Sequence, residues 1–169
     1  FNGTGNTPVG PETLDAYEVG LKSRFLDRMV QLNISAFRYD WTDLQAFGSI
    51  PVFGPAFINL PKSRLTGAEF ELKVAPGGGF SANFSGGYLD TKVLDTGILT
   101  AETAKVGAPL QQSPKWTFNG DVNQQFSLGS GTVIARLGGR YVGVQYNDLT
   151  QALNGRTSAA FFADASLAY

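Results

Sequence analysis

The sequence predicts an all-β protein, an antiparallel up-and-down meander of about seven long strands forming part of a transmembrane β-barrel. Three observations carry this. Apolar and polar residues alternate with a period of two through seven stretches, which is the pattern of strands with one apolar and one polar face. Short and long connections alternate between those stretches. Charge keeps to one parity: Glu18, Lys22, Arg24, Glu69, Glu71, Lys73, Asp121, Arg136, Arg140 and Asp164 all fall on the polar face. A lysine or arginine facing lipid at the bilayer midplane costs about 2 to 4 kcal/mol, so the polar face is expected to line a watery or protein-filled lumen.

The chain is organised around Glu12–Trp41, which reads as two strands and a very short turn. In the first strand Tyr17, Val19, Leu21 and Phe25 share one parity, against Glu18, Gly20, Lys22 and Arg24. Leu26-Asp27-Arg28 is too short for anything but a hairpin turn. The second strand sets Val30, Leu32, Ile34 and Ala36 against Gln31, Asn33 and Ser35, then shifts parity to Phe37, Tyr39 and Trp41. Either a bulge near Ala36 or an aromatic cluster where lipid meets water accounts for the shift. Each strand could run about 12 residues, beyond the roughly 5 or 6 of a globular strand and enough for the about 9 to 11 of a tilted membrane strand.

Residues Phe1–Pro11 read as loop, and Gly48–Pro61, with three prolines, as a long connection. The third strand carries Ala68, Phe70, Leu72 and Val74 on one face, and Pro76-Gly77-Gly78-Gly79 turns the chain. The fourth sets Phe80, Ala82, Phe84, Gly86 and Tyr88 against Ser81, Asn83, Ser85 and Gly87. Asp90–Pro114 is a second long connection, with a helical turn or two expected over Thr100–Lys105. The fifth strand has Trp116, Phe118, Val122 and Phe126 opposite Lys115, Thr117, Asn119, Asp121, Asn123 and Gln125, before the turn Gly129-Ser130-Gly131. The sixth has Val133, Ala135, Leu137 and Tyr141 opposite Thr132, Arg136, Gly138 and Arg140. Gln145–Arg156 is the third connection, and Phe161–Tyr169 the seventh strand. Trp41, Tyr88, Trp116, Tyr141 and Tyr169 are expected to form interfacial girdles. The longer loops identify the extracellular end, so the turns at Asp27, Gly78 and Ser130 are expected to be periplasmic.

Composition narrows the function classes. The 169 residues carry a formal net charge of -1, which makes no electrostatic case for nucleic acid. Without cysteine there is no thiol chemistry, and without histidine neither a Ser-His-Asp nor a Cys-His arrangement can be built. No apolar run approaches the roughly 20 residues of a membrane helix. A mean hydropathy of -0.06 is nevertheless what alternating barrel strands give. Phe1-Asn2-Gly3-Thr4-Gly5-Asn6 is polar and Gly-rich, unlike a signal peptide. An odd strand number leaves two unpaired edges, whereas bacterial single-chain barrels have even numbers from about 8 upward, so the seven strands are expected to be a fragment.

Several motifs have plainer readings than their functional ones. Glu69 and Glu71 share a strand face as a glycosidase pair could, but fit lumen-lining groups paired with Lys73, Arg136 or similar neighbours better. Asp90 with Asp95 suggests calcium less than solvated loop acid. Gly77-Gly78-Gly79 lacks the helix and lysine of a phosphate loop, and Asn2-Gly3-Thr4, Asn33-Ile34-Ser35 and Asn83-Phe84-Ser85 match the glycosylation pattern by chance. No catalytic or metal site and no cofactor is expected. The remaining candidates are ligand contacts in the loops: Phe53 and Phe57, set among Pro and Gly, and with less weight Tyr146 and Asn147.

One family unites these stretches. Pro11-Glu12-Thr13-Leu14, Tyr17-Glu18-Val19-Gly20-Leu21-Lys22, the Asp27 turn, Leu32-Asn33 through Phe37, Tyr39 and Asp40, Asp43-Leu44-Gln45, Asn59, Thr66-Gly67-Ala68-Glu69-Phe70-Glu71 and Pro114-Lys115-Trp116 together resemble the barrel of TonB-dependent outer-membrane receptors. The likeness covers nearly all the chain and places it in the later part of a barrel of about 22 strands with a plugged lumen. Neither a plug domain nor a terminal strand after Tyr169 is recognisable. The resemblance implies active uptake of a scarce nutrient, often an iron–siderophore complex, across the outer membrane of a Gram-negative bacterium. Its implied partners are outer-membrane lipid, the rest of barrel and plug, and the TonB energy-coupling protein, with no enzyme activity. A passive porin and a soluble secreted β-sandwich are the alternatives.

Overall fold

The computed structural model describes residues 9–50, 54–97, 99, 104–151 and 155–169, with backbone alone for 48–50 and 55–56. Period-two alternation becomes a single antiparallel sheet of seven strands. In chain order these are β1 (Thr13–Phe25), β2 (Val30–Ile50), β3 (Gly54–Gly77), β4 (Phe80–Asp95), β5 (Trp116–Leu128), β6 (Gly131–Val142) and β9 (Ala160–Ala168). Each pairs with the one before it, so successive connections alternate ends. A two-residue ladder, β7 (Gln145–Tyr146) with β8 (Arg156–Thr157), lies inside the connection expected over Gln145–Arg156.

The short turns follow local chemistry. Leu26, Asp27 and Arg28 all adopt positive φ (52°, 52° and 69°), and Met29 N–H closes the turn on Leu26 O at 2.9 Å. Only the aspartate among them tolerates this conformation readily, so the strands on either side must hold the turn. Gly79 needs its missing side chain twice. Its φ is +78°, and a Cβ there would stand 2.0 Å from Gln125 O. That close approach lets Gln125 N–H donate to Gly79 O at 2.8 Å and ties the turn to β5.

Register fixes the two faces. Tyr17, Val19, Leu21 and Phe25 align across β2 with Arg38, Ala36, Ile34 and Val30, and onward to Thr66, Ala68, Phe70 and Val74 in β3. The same row logic puts Phe84, Phe118, Leu137 and Phe161 on that apolar face. All ten charged residues expected on the polar parity occupy the other.

The β1–β2 ladder runs without a break from Phe25↔Val30 to Thr13↔Thr42, so there is no bulge near Ala36. With the alternation uninterrupted, Phe37, Tyr39 and Trp41 go to the polar face and Arg38 and Asp40 to the apolar one. Phe37 stacks on Tyr39 with centroids 5.0 Å apart, and the Tyr39 hydroxyl bonds to Glu18. Trp41 therefore does not belong to the girdle. Tyr88, Trp116, Phe118 and Tyr141 do form a continuous aromatic run on the apolar face, with successive centroids 4.7, 5.8 and 6.2 Å apart.

The Gly48–Pro61 connection is largely strand. β2 and β3 continue pairing from Leu44↔Leu60 to Ile50↔Gly54, so only 51–53 separate them. Proline lacks the N–H of a ladder, which is why this stretch reads as loop. The ladder simply skips Pro61: pairing passes from Thr42↔Lys62 to Leu44↔Leu60, and the intervening Asp43 takes φ 55°. Asn59 spans the irregularity, donating from Nδ2 to Asp43 O (2.7 Å) and Gly10 O (3.1 Å) and accepting Gly10 N–H on Oδ1 (2.8 Å). Gln45 Nε2 also donates to Gly10 O, and its N–H to Glu12 Oε2. β4 likewise continues past Asp90 to Asp95. The helical turn expected over Thr100–Lys105 falls partly outside the described residues, and Ala104 and Lys105 are not helical.

Rings and glycines interlock on the apolar face. A Cβ on Gly86 would lie 2.5 Å from Phe118 and 2.6 Å from Phe70, whereas one on Gly87, on the polar face, would find Thr117 Oγ1 at 3.3 Å. Gly86→Ala is expected to cost about 1 to 3 kcal/mol, since two rings must move together. Gly87→Ala should be much milder, and thermal unfolding of the intact protein compares the two. Equal losses would show that the rings yield freely.

Candidate functional site: the loop end and the polar face

The long connections close over a small apolar core of their own. Leu60 and Val93 are fully buried in it, with Ala46, Ile58, Ala104 and Leu149; Leu44, Leu99 and Leu110 pack against them. The core joins the extended β2–β3 hairpin to residues from both later connections. Backbone bonds reinforce it: Val93 N–H donates to Ala108 O and Gly107 N–H to Val93 O, both at 2.8 Å. Thr91 Oγ1 accepts Leu110 N–H at 2.9 Å and pairs with Ser113 Oγ at 2.8 Å.

Phe57 is 65% exposed and meets Phe47, 51% exposed, edge-to-face at 5.5 Å. They face each other because β2 and β3 stay paired this far out (Phe47↔Phe57). Gln111 Nε2 donates to Phe47 O at 2.6 Å, and the next amide, Gln112 N–H, to Tyr146 O at 2.8 Å. Two consecutive residues thus link the hairpin to the β7–β8 ladder. Tyr146 is half-buried in that ladder; Asn147 is exposed, its N–H donating to Gly155 O. Phe53 lies outside the described residues. Phe47 and the two glutamines escaped sequence reasoning, since only the extended register brings Phe47 opposite Phe57.

The polar face holds an open trough of about 690 Å³. Its lining includes small groups, such as Gly20, Ser35, Ser85 and Gly87, together with Lys22 and Glu71. Glu71 accepts Lys73 Nζ at 2.9 Å and Asn33 Nδ2 at 2.8 Å. That accounts for one member of the Glu69/Glu71 pair as a partnered wall residue. Among the described residues neither Glu69 nor Arg136 forms an ion pair, so the expected pairing holds for Lys73 alone. Asp121 Oδ2 receives Asn83 Nδ2 at 3.2 Å and Asn123 Nδ2 at 2.6 Å.

Beyond the aromatic run the apolar face becomes ionic. Asp40 accepts Arg38 Nε at 2.8 Å and Arg64 Nε at 2.6 Å. Hydrogen bonds from Arg64 and then Arg38 hold its carboxyl below the ordinary range. Asp90 accepts Lys92 Nζ at 2.9 Å and forms a looser ion pair with Lys115 Nζ at 3.7 Å, and the hydrogen bond to Asp90 raises the Lys92 ammonium. Asp90 is thus committed to cations of the chain itself, and Asp95 to the Gly97 N–H, at 2.8 Å. Lys115, expected on the polar face, instead stands 5.3 Å over the Tyr88 ring.

The sequence matches the TonB dependent receptor-like β-barrel family over residues 1–169. The chain belongs to that family. Solved structures share the fold. The ferric yersiniabactin uptake receptor FyuA from Yersinia pestis superposes with a TM-score of 0.70 at 22% identity, over 92% of this chain and 22% of its own. The ferric-catecholate import receptor Fiu from K12 E. coli gives 0.68 at 17% identity, over 99% and 22%. The copper transporter OprC gives 0.68 at 15% identity, over 95% and 23%. The chain therefore spans about a fifth of these proteins. No curated protein is similar enough in sequence to count as a match. Family members are outer-membrane proteins of Gram-negative bacteria, and membership in a barrel family sets the secreted-sandwich alternative aside. In such a barrel the apolar face meets lipid and the polar face the lumen.

Proposed function

We propose that this chain is wall, lumen face and extracellular loops of an outer-membrane receptor for active uptake of a scarce nutrient, an iron–siderophore complex before other metal chelates. The reading rests chiefly on the loop end, where a packed core holds the Phe47–Phe57 pair out into solvent. Of the similar structures, one is described as a ferric yersiniabactin uptake receptor, one as a ferric-catecholate import receptor and one as a copper transporter, which favours a metal chelate. Rigid exposed rings suit a flat, partly aromatic chelate. The polar face would meet the plug of the whole receptor, and the plug would engage the TonB energy-coupling protein. The chain itself performs no bond chemistry in this scheme. Phe53, Tyr146 and Asn147 remain secondary contact candidates.

In the intact receptor, Phe47→Ala with Phe57→Ala is expected to weaken ligand binding and uptake severalfold while barrel assembly stays unchanged. Unchanged uptake of the cognate chelate would remove the pair from the site. The orientation is tested separately. Gly54, with open space around it, and Gly78, at a turn on the opposite end, are each replaced by cysteine. An impermeant thiol reagent on intact cells should label the first and spare the second; the reverse pattern inverts the topology.

A further inference from the structure

We infer that the ionic patch above the aromatic run is a binding site for the phosphate of an outer-leaflet lipid headgroup. The inference rests on the apolar face meeting lipid, as read above. Arg38, Asp40, Arg64, Asp90 and Lys92 share their strand parity with Phe84 and Tyr88, so they project on the lipid side. They begin one row beyond Tyr88–Trp116: the next same-face pair outward is Thr66↔Asp90, and the one after it Arg64↔Lys92. Two residues along a strand advance about 7 Å. Aromatic girdles sit at headgroup level, so this step lands among headgroup phosphates.

The charges are arranged to receive an anion. Each of two carboxylates is held by two cations, Asp40 by Arg38 and Arg64, Asp90 by Lys92 and Lys115. The two clasps hold four cations and two carboxylates, and Asp15, which pairs with Asp40 across β1–β2 on the same face, brings the excess to one positive charge. The cationic side chains are the outer groups, 38 to 57% exposed against 29 to 30% for the carboxylates. Both arginines spend only Nε on Asp40, and their Nη groups have no partner among the described residues. A fork of free Nη donors suits a phosphate, and lysines add point charge beside it. The carboxylates fix where the cations stand, which lowers the entropy lost on binding.

The test uses the intact receptor in neutral detergent micelles and native mass spectrometry of retained lipid. Wild-type protein should hold dimyristoyl phosphatidic acid in preference to dimyristoyl phosphatidylcholine, which has the same chains and no net charge. Arg38→Gln with Arg64→Gln should weaken phosphatidic acid retention about tenfold, by loss of charge-assisted bonds. Arg38→Lys with Arg64→Lys should keep much of it. Lys92→Gln with Lys115→Gln probes the second clasp should the arginine variant fail to assemble. Equal retention of the two lipids, or unchanged retention in the glutamine variants, overturns the site. Displacement of the lipid by inorganic phosphate at matched concentration overturns the lipid as its occupant. Heat-modifiable gel migration of the wild type reports the folded barrel independently, so failure of the clasp and failure of the membrane reading are distinguishable.

Discussion

Phe84→Arg and Leu137→Arg are each expected to destabilise the intact barrel by about 2 to 4 kcal/mol in a bilayer, because each puts a cation on the lipid face near its middle. Phe84 lies midway along the apolar part of β4, between Phe80 beside the turn and Tyr88 in the aromatic run. Leu137, 62% exposed, aligns with Val122 and Ala165 on the same face. The controls differ by a single residue. Asn83→Arg points into the polar face beside Asp121, where a new cation gains a partner. Arg136→Gln removes a charge from that same face, where no ion pair is lost among the described residues. Both should cost far less. Denaturant titration in bilayers measures all four, and equal losses on the two parities would reverse the face assignment.

The sequence displays this part of the fold because a single rule governs it. Within the apolar band every second residue answers to lipid, so Leu21, Ile34, Phe70, Phe84 and Leu137 declare their side unaided. Errors begin where the band ends. Phe37, Tyr39 and Trp41 look like a parity shift if aromatics must face lipid, but β2 keeps its register and its outward side carries Arg38 and Asp40. Above the aromatic run there is no hydrocarbon to exclude charge, so hydropathy stops reporting the face. Lys115 escapes the alternation for the same reason: its long stem reaches Asp90 and Tyr88 from the start of β5. Prolines misled elsewhere. Pro55 and Pro61 read as loop, yet the hairpin absorbs one by skipping a pair at Asp43 and continues. Of the ligand candidates, Phe57 stood out by composition, whereas Phe47 required the register, and the links through Gln111 and Gln112 required tertiary structure.

Leu60→Ala is expected to open the loop end while leaving the membrane-spanning sheet intact. Leu60 is completely buried, and it packs with residues from three separate stretches of chain. Truncating such a side chain costs about 2 to 5 kcal/mol, depending on how far the site collapses. The loss should stay local, because this core lies beyond the aromatic run and shares no residue with the apolar face below it. Local opening exposes backbone amides to solvent exchange. The amides of Val93 and Gly107 should therefore exchange faster in the intact receptor, since their hydrogen bonds tie β4 to the connection that follows it. Those of β5 and β6 should keep their protection. Uptake should fall as well, because the Phe47–Phe57 pair rides on the hairpin whose arms carry Ala46, Ile58 and Leu60. Leu128→Ala, 57% exposed at the opposite end of the sheet, is the matched control and should change neither readout. Faster exchange throughout β5 and β6 in Leu60→Ala would mean that loop core and barrel unfold as one unit, and unchanged exchange at Val93 would mean that Leu60 does not hold the loops.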